Sequence, residues 1–340
     1  QFAPTVQATK SNYERVHNGK NTQYLDIFFD NKDKLLTDVY GSEQGDRFIN
    51  KFNRNIKINL IDKEKNFQLK NQFKFFNREE IKIMLGMDYL LNTDARSVIA
   101  SGSWEILSEC REKMFLGCSY SLLNLDKALN VSMQKKSSRN LERARALLKS
   151  MFCYHSVSTK IVPWSQSKIF TLTENGIYRR GGEKVVGFYN CILPSREIGE
   201  WQQPLLEKDN VALYWVPIKI IDGVAMLGVR AKKEIGFLGR AEFSVVIHQE
   251  YPNFKELKLA MLDKDKFGDI LLSIRQSDEG GRFWKNESLY CISVIKGHEK
   301  VYANLDINWL TLADLEELTV HKGLVSNELR TIISLLLSLA

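Results

Sequence analysis

Two stretches of this chain are versions of one another, and that self-similarity constrains the fold more than any other feature. LLTDVYGSEQGDRF, from Leu35 to Phe48, aligns with ILLSIRQSDEGGRF, from Ile270 to Phe283. Ser42/Ser277, Gly45/Gly280, Arg47/Arg282 and Phe48/Phe283 are identical, while Glu43/Asp278 and Gln44/Glu279 are close substitutions. The register continues downstream with a one-residue slip, pairing Phe75 with Trp309, Leu91 with Val325, Asp94 with Glu328 and Arg96 with Arg330. Upstream, QFAPTVQATKSN falls over EFSVVIHQEYPN, with Phe2/Phe243 and Asn12/Asn253 in common.

Each copy reads as period-two strands followed by a helix. ILLSIRQS and YCISVI are β-branched and alternating, whereas TLADLEELTVH places Leu312, Leu315 and Leu318 on one helical face behind a Thr311 cap. The expected class is α+β with a mostly antiparallel sheet. Three segments follow: 1–100 as part of a first copy, 101–160 as a helical connector and 161–340 as a second copy. The second copy has a long upstream part rich in strands and Gly-marked turns, including IDG. The first has no counterpart to it, so about half of the first domain is expected to precede Gln1. In the connector, WEILSECREKMF, YSLLNLDKALNV and NLERARALLKSMF all read as amphipathic helices, and TIISLLLSLA reads as a buried last helix.

Composition narrows the class of partner. The formal net charge is +7, and the middle segment 101–165 holds 10 basic against 5 acidic residues, whereas 166–340 is balanced at 22 and 23. A solvated helical connector accounts for that excess, and nucleic acid is not expected. The longest apolar run is about half of the ~20 residues a membrane helix needs, so no membrane is expected. Five cysteines without a C-x-x-C pair suggest a reduced, cytoplasmic protein, and the five histidines show no metal-ligand spacing.

The polar clusters are what a folding argument leaves over. QATKSNY, SEQGDRF and NRN crowd Gln7, Thr9, Lys10, Asn12, Tyr13, Glu43, Gln44, Arg47, Arg54 and Asn55 into short stretches. Such groups are either solvated loops or a ligand pocket. Were SEQGDR a strand, Glu43, Gly45 and Arg47 would share a face, as a surface ion pair or as a base beside an anion clamp. No phosphate-binding glycine loop, dinucleotide fingerprint or nucleophile elbow is present.

The blocks APTVQATKSNYERVH, SEQGDRFINKFNRN, LLNTDARSV, REIGEWQQPLL and SDEGGRF resemble, in that order, the signature blocks of the nucleotide-diphosphate hexose 2,3-dehydratases. The resemblance implies a tandem repeat of two Nudix-like domains, the first truncated at its N-terminus, assembled as a homodimer. It implies a dTDP-linked 4-keto-6-deoxyhexose as substrate, loss of its C2 hydroxyl and a downstream 3-ketoreductase acting on the product. That chemistry calls for no redox cofactor or metal. Our assignment of roles is Glu43 as base, Glu279 as its counterpart and Tyr13 as acid. Gln7, Thr9, Lys10, Asn12, Arg15, Gln44, Arg47, Arg54, Asn55, Trp201, Gln203, Lys232, Glu234 and Arg282 are the substrate-binding candidates. Two departures stand out: Phe52 replaces a basic residue in KFNRN, and SVVIHQEYPN lacks the polarity of PTVQATKSNY. The first copy is therefore the expected catalyst. A Nudix-type hydrolase is disfavoured because Lys82 and Ile83 of REEIKIMLG stand where paired acids belong. A binding-only protein is the remaining alternative.

Overall fold

The computed structural model describes residues 1–6, 24–30, 34–59, 73–108, 110–115, 125–136, 138–154, 160–192, 200–238, 240–278, 282–296 and 305–340. A short helix α1 (Leu25–Asp30) precedes the antiparallel hairpin of β1 (Leu35–Ser42) and β2 (Phe52–Ile58), followed by α2 (Arg78–Leu85) and α3 (Thr93–Ala100). The connector contributes α4 (Leu125–Gln134) and α5 (Ser138–Tyr154). Strands β3 (Phe170–Thr173), β4 (Gly176–Arg179), β5 (Lys184–Ile192) and β6 (Glu200–Glu207) then form a peripheral meander. After it come β7 (Val211–Ile221), β8 (Val224–Lys233), β9 (Ala241–Ser244) and β10 (Ile247–Tyr251), with α6 (Phe254–Ala260) and α7 (Lys264–Phe267). The chain closes with β11 (Asp269–Ser277), β12 (Phe283–Trp284), β13 (Glu287–Val294), β14 (Asn308–Leu310), α8 (Leu312–Thr319) and α9 (Asn327–Leu336).

The class is α+β, as expected. The largest sheet runs β11-β13-β7-β8-β14, with β10 added to β7 and β9 to β8. Pairing is mostly antiparallel, but β13 lies parallel to β7, and β12 lies parallel to β6 and so ties the meander to the second motif. β7 is buried on both faces. Leu213 and Trp215 pack under α6 and α7 with Leu257 and Phe267, while Tyr214, Val216 and Ile218 face the main core. That is why VALYWVPI is an unbroken apolar run rather than an alternating one. The β7–β8 turn is the IDG read from sequence, with Asp222 and Gly223 both at positive φ (50° and 75°), the backbone of a tight primed turn.

Corresponding residues of the two copies take corresponding places. Phe2 bridges Leu91 and Phe243 bridges Val325, each in parallel sense. Capping boxes begin α2 (Asn77 with Glu80) and α8 (Thr311 with Asp314), and Asn92 and Ser326 cap α3 and α9. α3 packs on α9 in the middle of the molecule, where Leu329, Ile332, Ile333 and Leu336 are fully buried. Removal of each from water is worth about 1.5–3 kcal/mol. This last helix is the buried element that TIISLLLSLA suggested.

One expectation fails in the connector. WEILSECREKMF is not a helix but two short 3-10 turns, Glu105–Leu107 and Arg111–Lys113. Ser108 Oγ accepts from the Cys110 backbone N–H (3.3 Å) and donates to its carbonyl (3.0 Å), capturing the groups a helix would have used. Trp104, Leu107, Met114 and Phe115 still reach the core from the turns. No helix among the described residues is long and apolar enough to cross a membrane.

Candidate functional site

The SEQGDRF stretch is not a strand. β1 ends at Ser42, Glu43 and Gln44 leave it, and Gly45–Arg47 make a turn in which Arg47 and Phe48 donate their N–H groups to the Gln44 carbonyl. Glu43, Gly45 and Arg47 therefore share no sheet face. What aims them is contact with the other motif copy.

The two copies meet head to head. Arg282 Nη1 lies 3.3 Å from the Glu43 carboxylate, and Arg47 Nη1 lies 3.7 Å from that of Asp278. Arg47 sits over the ring of Phe283 (4.7 Å to centroid) and Arg282 over that of Phe48 (5.1 Å). The two rings meet edge to face at 6.1 Å. Each acid also accepts from an asparagine amide beyond its own turn, Glu43 from Asn53 and Asp278 from Asn286. The exchange extends to the strand ends: Ser42 donates to Glu242, and Gln1 donates to Ser277 (2.6 Å).

The second copy supplies a floor for this junction. His248, Tyr214 and Tyr290 stand side by side on β10, β7 and β13, with ring centroids 4.6 Å and 4.8 Å apart. Lys232 pairs with Glu234 and approaches His248 Nδ1 (3.3 Å), and Glu234 accepts the Gly45 backbone N–H (2.6 Å). Gly236 locks the contact, donating to the Gly45 carbonyl (2.6 Å) and accepting from Asn50 (2.7 Å). Gln44 Oε1 and His248 Nε2 are buried with no protein partner among the described residues, a costly state unless another polar group meets them.

Burial governs the proton affinities here. Asp278 is pushed up to about 6 by burial, with Arg47 opposing and Glu328 reinforcing. Glu242 rises to about 7 by burial, against the Ser42 hydrogen bond and the Arg330 and Arg240 charges. Glu234 is raised by burial and by Glu328, with Lys232 opposing. Burial would lower Lys232, but the Glu328 and Glu234 carboxylates outweigh it and the net shift is upward. His248 is lowered by burial and by Lys232. Tyr214 and Tyr290 are held well above their ordinary value, chiefly by burial.

Of the residues singled out from sequence, Glu43, Gln44, Arg47, Lys232, Glu234 and Arg282 converge on this junction. Arg54 does not. It lies on the outer face of the hairpin, bonded through Nε to Asp38 (2.7 Å), each raising the other's preference for charge. Asn55 is buried behind the hairpin near Ser101 (3.3 Å). Trp201 and Gln203 lie on β6 of the meander, hydrogen-bonded to one another (2.6 Å). Gln7, Thr9, Lys10, Asn12, Tyr13, Arg15 and Glu279 fall outside the described residues. Sequence reasoning missed Asp278, His248, Tyr214, Tyr290 and Glu242. The Glu43/Asp278 alignment already held the signal for Asp278, whereas the aromatic row looked like ordinary strand apolarity. Among the described residues no three His, Cys, Asp or Glu side chains gather to hold a metal ion.

Comparison with known proteins bears directly on these motifs. The family model described as NDP-hexose 2,3-dehydratase matches residues 1–101 and 144–336, so both motif copies lie inside it and most of the basic connector lies between its two matched parts. A dTDP-4-dehydro-6-deoxy-alpha-D-glucopyranose 2,3-dehydratase of Saccharopolyspora spinosa is 27% identical over all of this chain and 70% of its own length. Proteins of the same description from Amycolatopsis orientalis (26%, covering 98% of the chain and 66% of that protein) and Streptomyces violaceoruber (27%, 98% and 73%) are similar to it as well. With the family match extending over most of the chain and through both arginine-exchanging motifs, this protein belongs to the NDP-hexose 2,3-dehydratase family.

Proposed function

We propose that this chain is a hydro-lyase that removes the C2 hydroxyl of dTDP-4-keto-6-deoxy-D-glucose in the formation of 2,6-dideoxyhexoses. One observation carries the reading besides family membership. Glu43 and Asp278, corresponding acids of the two motifs, are both buried, each fixed by an asparagine amide and faced by an arginine of the other copy. Carboxylates so restrained are suited to taking a proton from a fixed direction.

The 4-keto group acidifies the C3–H bond. A base, Glu43 in this reading, takes that proton, and the electron pair moves toward C2 as the C2–O bond breaks. An acid, Tyr13, protonates the departing hydroxyl and water leaves. The enol formed at C3 then tautomerises to a ketone, so oxidation state is conserved overall. The resulting 3,4-diketone is a substrate for a 3-ketoreductase. Charge that builds on the C4 oxygen is met by donors among Lys10 and Asn12, while Gln7, Thr9, Arg15, Gln44, Lys232 and Glu234 contribute to substrate contact; fixed donors at such a point are usually the largest single source of rate. The equivalent of Glu43 in the second copy is Asp278 in place of Glu279, because Asp278 occupies the aligned position and carries the matching asparagine bond.

The wider reading is a tandem pair of Nudix-like units with a helical connector between them, working as a cytoplasmic homodimer. The equivalent bridges Phe2–Leu91 and Phe243–Val325 support the tandem arrangement. The test is incubation with dTDP-4-keto-6-deoxyglucose in deuterated water, following loss of water from the sugar with deuterium entry at C2 of the product, and deuterium exchange at C3 of the remaining substrate. Folded protein that gives neither overturns the proposal.

A further inference from the structure

We propose that Arg47 and Arg282 are positioning residues that act in trans between the two motif copies, each orienting the acid of the opposite copy. The inference rests on the dehydratase reading above. It means that neither copy is complete alone: the acid of each unit is served by the arginine of the other.

The geometry is reciprocal at every point. Arg and Phe are neighbours in both motifs, and each arginine is laid over the other copy's phenylalanine while its guanidinium points at the other copy's acid. A planar guanidinium resting on an aromatic face has little rotational freedom left to lose, so it presents its N–H groups in a set direction. The acids are restrained from the opposite side by Asn53 and Asn286. A structural ion pair would need only one such contact. Here two copies of one sequence motif, far apart in the chain, have exchanged the same pair of contacts.

Asp278 makes the consequence measurable. The groups acting on it are Arg47 and Asp46 from the first motif, Lys208 from the β6–β7 turn, Glu328 of α9, and the flanking hydroxyls of Tyr214 on β7 and Tyr290 on β13. Burial, Glu328 and Asp46 favour the protonated acid, whereas Arg47 and Lys208 favour the carboxylate, with Arg47 the stronger of the two. Loss of the Arg47 charge therefore moves Asp278 further up, and any step that needs its carboxylate loses rate at neutral pH.

The experiment uses the whole chain and measures elimination from dTDP-4-keto-6-deoxyglucose, with C3 deuterium exchange, over pH ~5 to ~9. Arg47→Gln is expected to move the acidic limb of the profile up by about one pH unit and to cut the rate on that limb about tenfold. Arg47→Lys, which keeps the charge, restores most of the limb's position. In an Asp278→Asn background Arg47→Gln adds no further loss. Arg282→Gln slows C3 exchange, with partial rescue by Arg282→Lys. An unmoved limb in folded Arg47→Gln overturns the proposal, and so does a full additional loss on top of Asp278→Asn. Should Arg47→Gln fail to fold, Arg282→Gln decides: C3 exchange at the wild-type rate in that folded variant overturns the proposal. A wild-type chain inactive on this substrate fails the dehydratase reading instead, which keeps the two failures apart.

Discussion

The hydroxyl of Ser42 donates to the carboxylate of Glu242, 200 residues further along the chain, and burial holds that carboxyl near neutrality in its proton affinity, at about 7. In the other copy the corresponding bond is made by Gln1, an amide that carries no charge, to Ser277. A glutamate with a raised pKa in the position of a glutamine behaves as its neutral counterpart through most of the acidic range.

That difference predicts a pH dependence of stability. Because the folded-state value lies above the ordinary 4.5, folded protein binds more protons than unfolded protein between pH ~4.5 and ~7, so stability falls as pH rises through that window and is level above it. The full contribution is about 3 kcal/mol. Glu242→Gln is expected to flatten thermal melting against pH across this window and to raise Tm at pH ~8. A variant that melts like the wild type at every pH would remove Glu242 from this account.

Arg330 is the buried cation next to that pair. It donates to the carbonyls of Ser42 and Val325 (both 2.6 Å) and to the Ser97 hydroxyl (3.2 Å), joining α9 to α3 and to the end of β1. Arg330→Met orphans these acceptors and leaves Glu242 without its strongest countercharge, at a cost of about 3–5 kcal/mol. Chemical denaturation should show a lowered midpoint with an unchanged slope.

Gly236 sits where the Glu234 loop meets the first motif. A Cβ there would lie 1.9 Å from the Phe48 carbonyl oxygen and 2.4 Å from that of Gly45, both backbone atoms that no side-chain rotation can move aside. Gly236→Ala is expected to part the two loops, cost about 1–3 kcal/mol and depress elimination more than nucleotide binding. Calorimetric titration with dTDP alongside the activity assay checks it.

Glu43 carries the base assignment. Glu43→Gln keeps the Asn53 contact and the shape of the turn but cannot accept a proton, so C3 deuterium exchange should drop by ~10²–10⁴ while dTDP binding is retained. Exchange at the wild-type rate would transfer the role to another group.

Local chemistry in the sequence reached some features and not others. The Thr311 cap, the Leu312–Leu315–Leu318 face and the IDG turn are decided within a few residues, and each takes its expected form. Whether SEQGDRF is a strand stayed open in the sequence because local patterning cannot register that the chain turns after Gln44 to meet Gly236 and Glu234, whose contact is remote in sequence. Arg54 stood among the substrate-binding candidates because it neighbours the polar cluster, yet the pleat puts it on the outer face with Asp38. Trp201 and Gln203 satisfy one another on β6, two residues apart on one face. His248, Tyr214 and Tyr290 were unreadable as a set because they come from three strands.

The sequence by itself determined that two motif copies exist, which residues correspond, that a helix begins behind Thr311 and that the last helix is buried. Those properties follow from composition, caps and periods that act over one or two turns of chain. Only the tertiary structure decided that the copies face each other and trade arginines. The packing of α3 on α9 and the edge-to-face contact of Phe48 with the buried Phe283 set that arrangement, and such long-range docking leaves no mark in any local pattern.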